Sequence, residues 1–283
     1  MRFMKLKESF LIFLRGLFMG SADVVPGVSG GTIALITGIY ERLIGSISFL
    51  VKFILLILKF KFKDLIKEFR KIDFGLFIPL GLGISIAVFF ISGIINVLLD
   101  KYTGITFGFF FGLILGSSLY LYTHVDKLNY KRLIFSIIGF FFAYFIAGFS
   151  ALQVNHSLFV IFISGVLAIS AMILPGISGA FILLLLNQYQ YLIDVLHDFR
   201  IKVIFVFFLG AISGLLIFSR VLDLLLRRFK FLTLSFLIGL MLGSLRIPWR
   251  NIVNSNSSLF LVILFGLVGF VLVYFLEKKF NEN

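Results

Sequence analysis

Gly20-Ser-Ala-Asp-Val-Val-Pro-Gly-Val-Ser-Gly-Gly-Thr32 interrupts an apolar run where a membrane helix would be expected to continue, and the break recurs as Ile169-Ser-Ala-Met-Ile-Leu-Pro-Gly-Ile-Ser-Gly-Ala180. At an offset of 149 positions Pro26 falls on Pro175, Ser29 on Ser178, Gly30 on Gly179 and Tyr40 on Tyr189. A spanning helix needs about 20 apolar residues to cross a hydrocarbon core of roughly 30 Å. Ser9 to Ala22 is too short, and apolar helix resumes only from Thr32 to about Ile44. Two half-length helices joined by irregular backbone predict a re-entrant hairpin over 9–44. Such backbone persists at membrane depth only where protein or a wet cavity satisfies its N–H and C=O groups. The alternative is one long, kinked spanning helix.

The rest of the chain places this break in a membrane. Its 283 residues are 60% hydrophobic and 14% charged, with a mean hydropathy of +1.13, whereas soluble domains carry about a quarter charged residues. An all-α polytopic membrane protein is expected. The net charge of +13 reports orientation first, because cytoplasmic loops retain Lys and Arg; nucleic acid is not an expected partner. The absence of cysteine excludes disulfides, thiol catalysis and Cys-ligated metals. Basic Arg2, Lys5 and Lys7 ahead of Phe10 to Met19 and Gly20-Ser21-Ala22 trace the outline of a cleavable signal peptide. The recurrence of the run near residue 165 favours mature structure instead.

Working outward, Ser46 to Lys71 interleaves Lys52, Lys59, Lys61, Lys63, Lys67, Arg70 and Lys71 with Phe, Leu and Ile. This reads as a basic amphipathic segment, 46–71, lying on a cytoplasmic anionic surface. Spans are expected at 74–99, 104–123 and 132–150, then a second hairpin at 158–193 and spans at 203–226, 231–247 and 258–276. The spans repeat at an offset of 127: Gly83 on Gly210, Gly112 on Gly239, Gly116-Ser117 on Gly243-Ser244, Gly139 on Gly266. Two repeats result, 1–150 and 151–283, each a hairpin plus three spans. An odd number of crossings inverts the second relative to the first, as in many secondary transporters. With both termini cytoplasmic, 21 of the 26 Lys and Arg residues fall inside; Lys101, Arg200, Lys202, Arg246 and Arg250 stay outside.

The hairpin tips offer anion chemistry. A helix restarting after Pro-Gly-x-Ser-Gly has unpartnered N–H groups and a positive dipole end. Glycine admits a ligand to that backbone, and hydroxyls of Ser29, Thr32 and Ser178 can donate to oxygen. Two such starts meeting near the midplane would hold a phosphate, with Gly30 and Gly179 at the contact. No Lys-Ser or Lys-Thr follows the glycines, so this is not a nucleotide P-loop. Close helix packing through small residues is the alternative for Gly30, Gly116, Gly179 and Gly243.

Charge distinguishes the hairpins, since Arg15, Asp23, Glu41 and Arg42 correspond to Ser164, Met172, Gln190 and Tyr191. Ionisable groups at depth usually pair or face an aqueous path. Asp23 is the candidate for proton or cation coupling, with a helix cap as the alternative; Glu41 is a second coupling candidate, with an interfacial pair or snorkelling as its alternative. Arg246 follows Gly243-Ser244, which gives it a candidate phosphate-catching role. Arg220 precedes Asp223 by three residues, which permits a helical ion pair, and Trp249 reads as an interfacial anchor. His124, His156 and His197 are widely separated, without metal-ligand spacing or a nucleophile partner. No cofactor, metal site or catalytic residue is expected.

Ala22-Asp-Val-Val-Pro-Gly-Val-Ser-Gly-Gly31, Gly38-Ile-Tyr-Glu-Arg-Leu43, Ala171-Met-Ile-Leu-Pro-Gly-Ile-Ser-Gly179 and Gly239-Leu-Met-Leu-Gly-Ser-Leu-Arg246 resemble the signatures of the bacterial domain-of-unknown-function 368 family, associated with polyprenyl-phosphate transport (PopT-like). The resemblance covers nearly the whole chain; Gly243-Ser-Leu-Arg-Ile-Pro-Trp249 departs from an expected Trp-Pro-Trp ending. It implies a bacterial cytoplasmic-membrane flippase that returns undecaprenyl phosphate from the outer to the cytoplasmic leaflet for cell-wall synthesis. For that substrate the residues suggest alternating access with charge compensation, in which a proton or sodium ion could offset the charge of the anion, with Asp23 or Glu41 as coupling carboxylate and Arg42, Arg220 and Arg246 as head-group contacts. A small-anion transporter or channel, and a membrane enzyme acting on a lipid phosphate, are the rival readings.

Overall fold

The computed structural model describes residues 6–25, 27–58, 65, 68–124, 129–149, 152 and 154–281. Pro26, Lys59, Lys61, Lys63 and Lys67, singled out above, lie outside the described residues, as do Arg2 and Lys5. The first limb is α1 (Leu6–Asp23), followed by the short α2 (Gly30–Ile36) and by α3 (Tyr40–Leu58). Then come α4 (Phe74–Lys101), α5 (Thr103–His124) and α6 (Tyr130–Ile146). The remainder is α7 (Leu158–Ile173), α8 (Gly179–Leu185), α9 (Tyr189–His197), α10 (Ile201–Arg228), α11 (Lys230–Ser244), α12 (Arg246–Val253) and α13 (Leu259–Asn281). Four stretches are long and apolar enough to cross a membrane: Phe74–Lys101, Thr103–Thr123, Ile201–Arg228 and Lys230–Val253. The bent pairs α2–α3, at 118°, and α8–α9, at 102°, raise the number to six if each counts as one span. The chain is therefore a polytopic, all-helical membrane protein among its described residues.

Local chemistry explains the element ends. The Asp73 carboxylate accepts from the Leu76 amide at 3.0 Å and starts α4. Ser157 Oγ does the same for Val160 at the start of α7, meeting amides that have no intrahelical partner. Inside α4, Pro79 removes one backbone donor, and the helix widens into a π-type turn at Ala87–Ile91. α3 runs unbroken through residues 44–46, so the return limb of the first hairpin and the start of the basic segment are one helix. The far end of that segment folds back: Glu68 accepts from Lys52 at 3.1 Å and Lys71 at 2.8 Å.

Helix packing is dominated by four pairs, α1 with α4, α7 with α10, α5 with α13 and α6 with α11. Glycine permits each of them, because a Cβ at the crossing would run into the neighbouring backbone. Gly16 lies on the Leu80 backbone and Gly83 on the Phe13 carbonyl; Gly165 lies on the Phe207 carbonyl and Gly210 on that of Phe162. The offsets of 149 for the hairpins and 127 for the spans carry the first two contacts onto the second two. Gly112 lies on Gly266, and Gly239 and Gly243 lie on the carbonyls of Ser136 and Phe140. In an apolar solvent such close approach supplies the dispersion contacts that hydrophobic burial supplies in water.

The core is centred on α2, every residue of which is buried. It touches α1, α3, α5, α7 and α13. Its counterpart α8 has no buried residue, and its extensive neighbours are only α7 and α9.

Candidate functional site

The two breaks meet. Gly27 and Gly176 hold φ of +84° and +85°, a left-handed conformation that glycine adopts without steric cost. Gly27 turns against the Ile247 side chain, and Gly176 against the Met241 backbone, where a Cβ would lie 2.9 Å from Cα. Both turns therefore rest on the α11–α12 segment.

Three hydrogen bonds join the tips. Ser29 Oγ donates to the Leu174 carbonyl at 3.1 Å. Thr32 Oγ1 accepts from the Gly176 amide at 3.0 Å. The Tyr40 hydroxyl donates to the Ile173 carbonyl at 3.1 Å. Ser29 and Thr32 are fully enclosed and Tyr40 is buried. In each case the first tip supplies a side chain and the second supplies backbone that its own Pro-Gly break has freed from helical bonding.

The start of α2 is satisfied internally. The Asp23 carboxylate, at the end of α1, accepts from the Gly30 amide at 2.6 Å. Ser29 is extended, with φ −126° and ψ 132°, and its Oγ also accepts from the Gly31 amide at 3.1 Å. Asp23 thus stands where an exogenous anion would stand at a helix N-terminus. Ser178, equally extended before α8, makes no side-chain capping bond, and Met172, in the place of Asp23, has no charge to offer. Gly30 abuts the Asp23 carboxylate, and a Cβ on Gly179 would lie 2.7 Å from the Ala168 carbonyl. Close packing is thus present at both glycines; Gly116 packs on the Phe270 carbonyl and Gly243 on that of Phe140.

The other candidate residues lie away from the tips. Arg42 bridges Glu8 at 3.2 Å and Asp73 at 2.8 Å, tying the start of α3 to the starts of α1 and α4. Glu41, beside it, pairs with Lys230 of α11 at 2.7 Å. Arg220 is exposed on α10, while Asp223 takes Arg227 at 2.9 Å as its partner; the i+4 neighbour is chosen in place of the i−3 one. Arg246 Nη1 donates to the Tyr144 carbonyl at 2.9 Å, and its guanidinium lies 4.3 Å from the Tyr144 ring centroid. Tyr40 and Lys230 were not singled out as site residues from sequence; the recurrence of Tyr40 at Tyr189 was the available signal for the first. Among the described residues no group of three His, Asp or Glu side chains is arranged to hold a metal.

Two broken helices joined tip to tip within a polytopic helical membrane protein define a class in which ligand or ion sites sit at the break. The chain belongs to the VCA0040-like, undecaprenyl phosphate translocase-like family, whose model matches residues 19–276. The family relationship expected from the motifs is thereby borne out. A polyprenyl-phosphate transporter of Vibrio cholerae serotype O1 is 43% identical over 251 residues, which is 87% of this chain and 80% of the relative. A polyprenyl-phosphate transporter of Staphylococcus aureus is 29% identical over 294 residues, covering 95% of this chain and 96% of that protein. Both relatives are named as transporters and neither as an enzyme. No solved structure gives a significant match.

Proposed function

We propose that this protein carries polyprenyl phosphate, undecaprenyl phosphate in the first instance, from the outer to the cytoplasmic leaflet of the bacterial cytoplasmic membrane, recycling the carrier lipid of cell-wall synthesis. The observation that carries the reading is the junction of the tips through Ser29, Thr32 and Tyr40. Family membership supports the substrate class. The polyprenyl tail stays in lipid while the phosphate head crosses at the junction, passing Ser29, Gly30, Thr32, Ser178 and Gly179 when the tips part. The head group then displaces the Asp23 carboxylate from the Gly30 amide, and Arg42, Arg220 and Arg246 serve it on either side.

The transport cycle is alternating access between two inverted repeats, 1–150 and 151–283. The matched glycine crossings support the repeat, and the charge split supports its inversion. The two halves are also unequal here. α3 packs on α10, and Glu41 is latched to Lys230, whereas among the described residues Gln190, in the place of Glu41, bonds within its own helix to Asp194, at 3.4 Å. This arrangement fits a state closed at the cytoplasmic end. Moving the anion inward opposes an inside-negative potential at about 2.3 kcal/mol per charge per 100 mV, so a proton or sodium ion taken up at Asp23 or Glu41 compensates the charge. In proteoliposomes the protein is expected to equilibrate polyprenyl phosphate between leaflets while a small anion stays trapped and no free phosphate appears. Passage of the small anion without lipid movement would overturn the lipid reading, and release of phosphate would establish an enzyme.

A further inference from the structure

Beyond the tips, α12 carries a second feature. Arg246, Trp249, Arg250, Val253 and Asn254 follow helical spacing and share a face, and that face borders an open hollow of about 600 Å³ lined also by Phe111 of α5 and by Phe140 and Tyr144 of α6. Among the described residues neither Arg246 nor Arg250 is paired with a carboxylate. The Arg246 guanidinium is held in place by the Tyr144 carbonyl and ring, so it is pre-positioned without being neutralised. Arg250, one turn on, is exposed.

The cavity does not end there. Trp249 stands over Phe111, with ring centroids 6.1 Å apart, and on their far side a second hollow of about 300 Å³ is lined by Gly108, Val262, Ile263 and Gly266 of α5 and α13. Phe111, Trp249 and Val253 line both hollows. A hollow bordered by two uncompensated positive charges thus adjoins an apolar trough, with an aromatic pair lining both. Inorganic phosphate would use only the first part and a neutral lipid only the second. An isoprenoid phosphate monoester uses both: guanidinium groups bind phosphate oxygens through charge-assisted hydrogen bonds, and the hydrocarbon is shielded along the trough.

We propose that this face of α12 is a loading site for polyprenyl phosphate at the outer membrane face, separate from the tip junction, with the phosphate between Arg246 and Arg250 and the first isoprene units passing Trp249 into the trough. The assignment rests on the transport reading for its ligand. Its position also connects loading to the tips, because Ile247, on another side of α12, is the residue against which Gly27 turns.

Trp249 is the single tryptophan of the chain, so its emission reports this site without labelling. With the protein in lipid vesicles, polyprenyl phosphate is expected to give a saturable change in Trp249 emission that polyprenol and inorganic phosphate do not reproduce. Arg250→Gln is expected to weaken the apparent affinity at least about tenfold, Arg250→Lys to restore part of it, and Ile263→Phe, which narrows the trough, to weaken the lipid without altering any response to inorganic phosphate. An unresponsive Trp249, or Arg250→Gln binding and transporting as wild type does, in a protein that does move polyprenyl phosphate across liposomes, overturns the loading site and leaves the transport reading intact. Equal responses to inorganic phosphate and the lipid likewise overturn it, in favour of a plain anion pocket. Saturable lipid binding by a protein that fails to move the lipid upholds the site and overturns transport.

Discussion

Replacing Thr32 by valine tests the tip junction with least disturbance. The side chain is fully enclosed, and valine keeps its branched shape while deleting the oxygen that accepts from the Gly176 amide at 3.0 Å. The swap is not neutral, because a buried donor is left without a partner. An unsatisfied buried group costs about 1–3 kcal/mol, so the parted state should gain about 5- to 160-fold over the joined one. The bonds from Ser29 to Leu174 and Tyr40 to Ile173 remain, which keeps the fold and the joined arrangement dominant. Hydrogen–deuterium exchange read on peptides containing Gly176 should accelerate by that factor in Thr32→Val. Thr32→Ser retains a hydroxyl and should stay close to wild type. Unchanged Gly176 exchange in Thr32→Val, or the same acceleration in Thr32→Ser, would refute a junction held by this hydroxyl.

Other consequences concern the periphery. Glu41 and Lys230 are each about half exposed, and such a pair contributes only roughly 0.2–1 kcal/mol; Glu41→Gln should therefore raise cytoplasmic-side opening by at most about fivefold, and added salt should reproduce much of the effect in wild type, as cross-linking of α3 to α11 would report. Alanine at Gly83 or at its counterpart Gly210 would drive a Cβ into the Phe13 or Phe162 carbonyl, an overpacking that costs about 1–3 kcal/mol; thermal unfolding in detergent should fall for both variants, and by less for Gly93→Ala, where a Cβ meets nothing within 4 Å. Glu68 is held below the usual glutamate value of 4.5, first by the hydrogen bond from Lys71 and then by that from Lys52. Its depressed folded pKa means that the clip contributes fully above pH 4.5 and is lost only as pH falls further, through the folded value. Amide exchange at 68–72 should accordingly be flat from pH 7 to pH 5, after correction for intrinsic rates, and rise in more acid solution, and Glu68→Gln should abolish that rise.

The helix crossings were legible only in part, although only glycine lets two backbones touch: close packing was an open reading at Gly116 and Gly243, and Gly83, Gly112 and Gly139 marked the repeat, but the crossing at Gly16 was not singled out and no partner was named. The breaks were legible for a related reason: Pro-Gly cannot continue a helix, and Gly27 and Gly176 take the positive φ that it permits. The partners at the junction were not legible, since the bonds of Ser29, Thr32 and Tyr40 reach across 145, 144 and 133 residues and leave no local pattern. A helix cap was open from sequence as the alternative to coupling at Asp23, and the structure takes it up on the Gly30 amide; which amide it meets depends on the angle at which α1 meets α2. Asp223 illustrates a finer ambiguity. Helical periodicity allows Arg220 or Arg227 equally, and packing accompanies the choice of Arg227, since a Cβ on Gly45 of α3 would lie 3.8 Å from both members of the chosen pair. Arg246 and Trp249 were each singled out from the sequence, but the trough beside them is lined by α5 and α13, distant in sequence.

The central claim is that the two hairpins face opposite sides of the membrane and meet between them. Glu41 and Gln190 occupy equivalent places at the two hairpin mouths, both exposed, in a chain without cysteine. Glu41→Cys and Gln190→Cys, made singly and treated with a membrane-impermeant maleimide in intact cells and then in inverted vesicles, should label from opposite sides, position 41 from the cytoplasm and position 190 from outside. Labelling of both positions from the same side would contradict the opposed arrangement and the alternating-access cycle built on it.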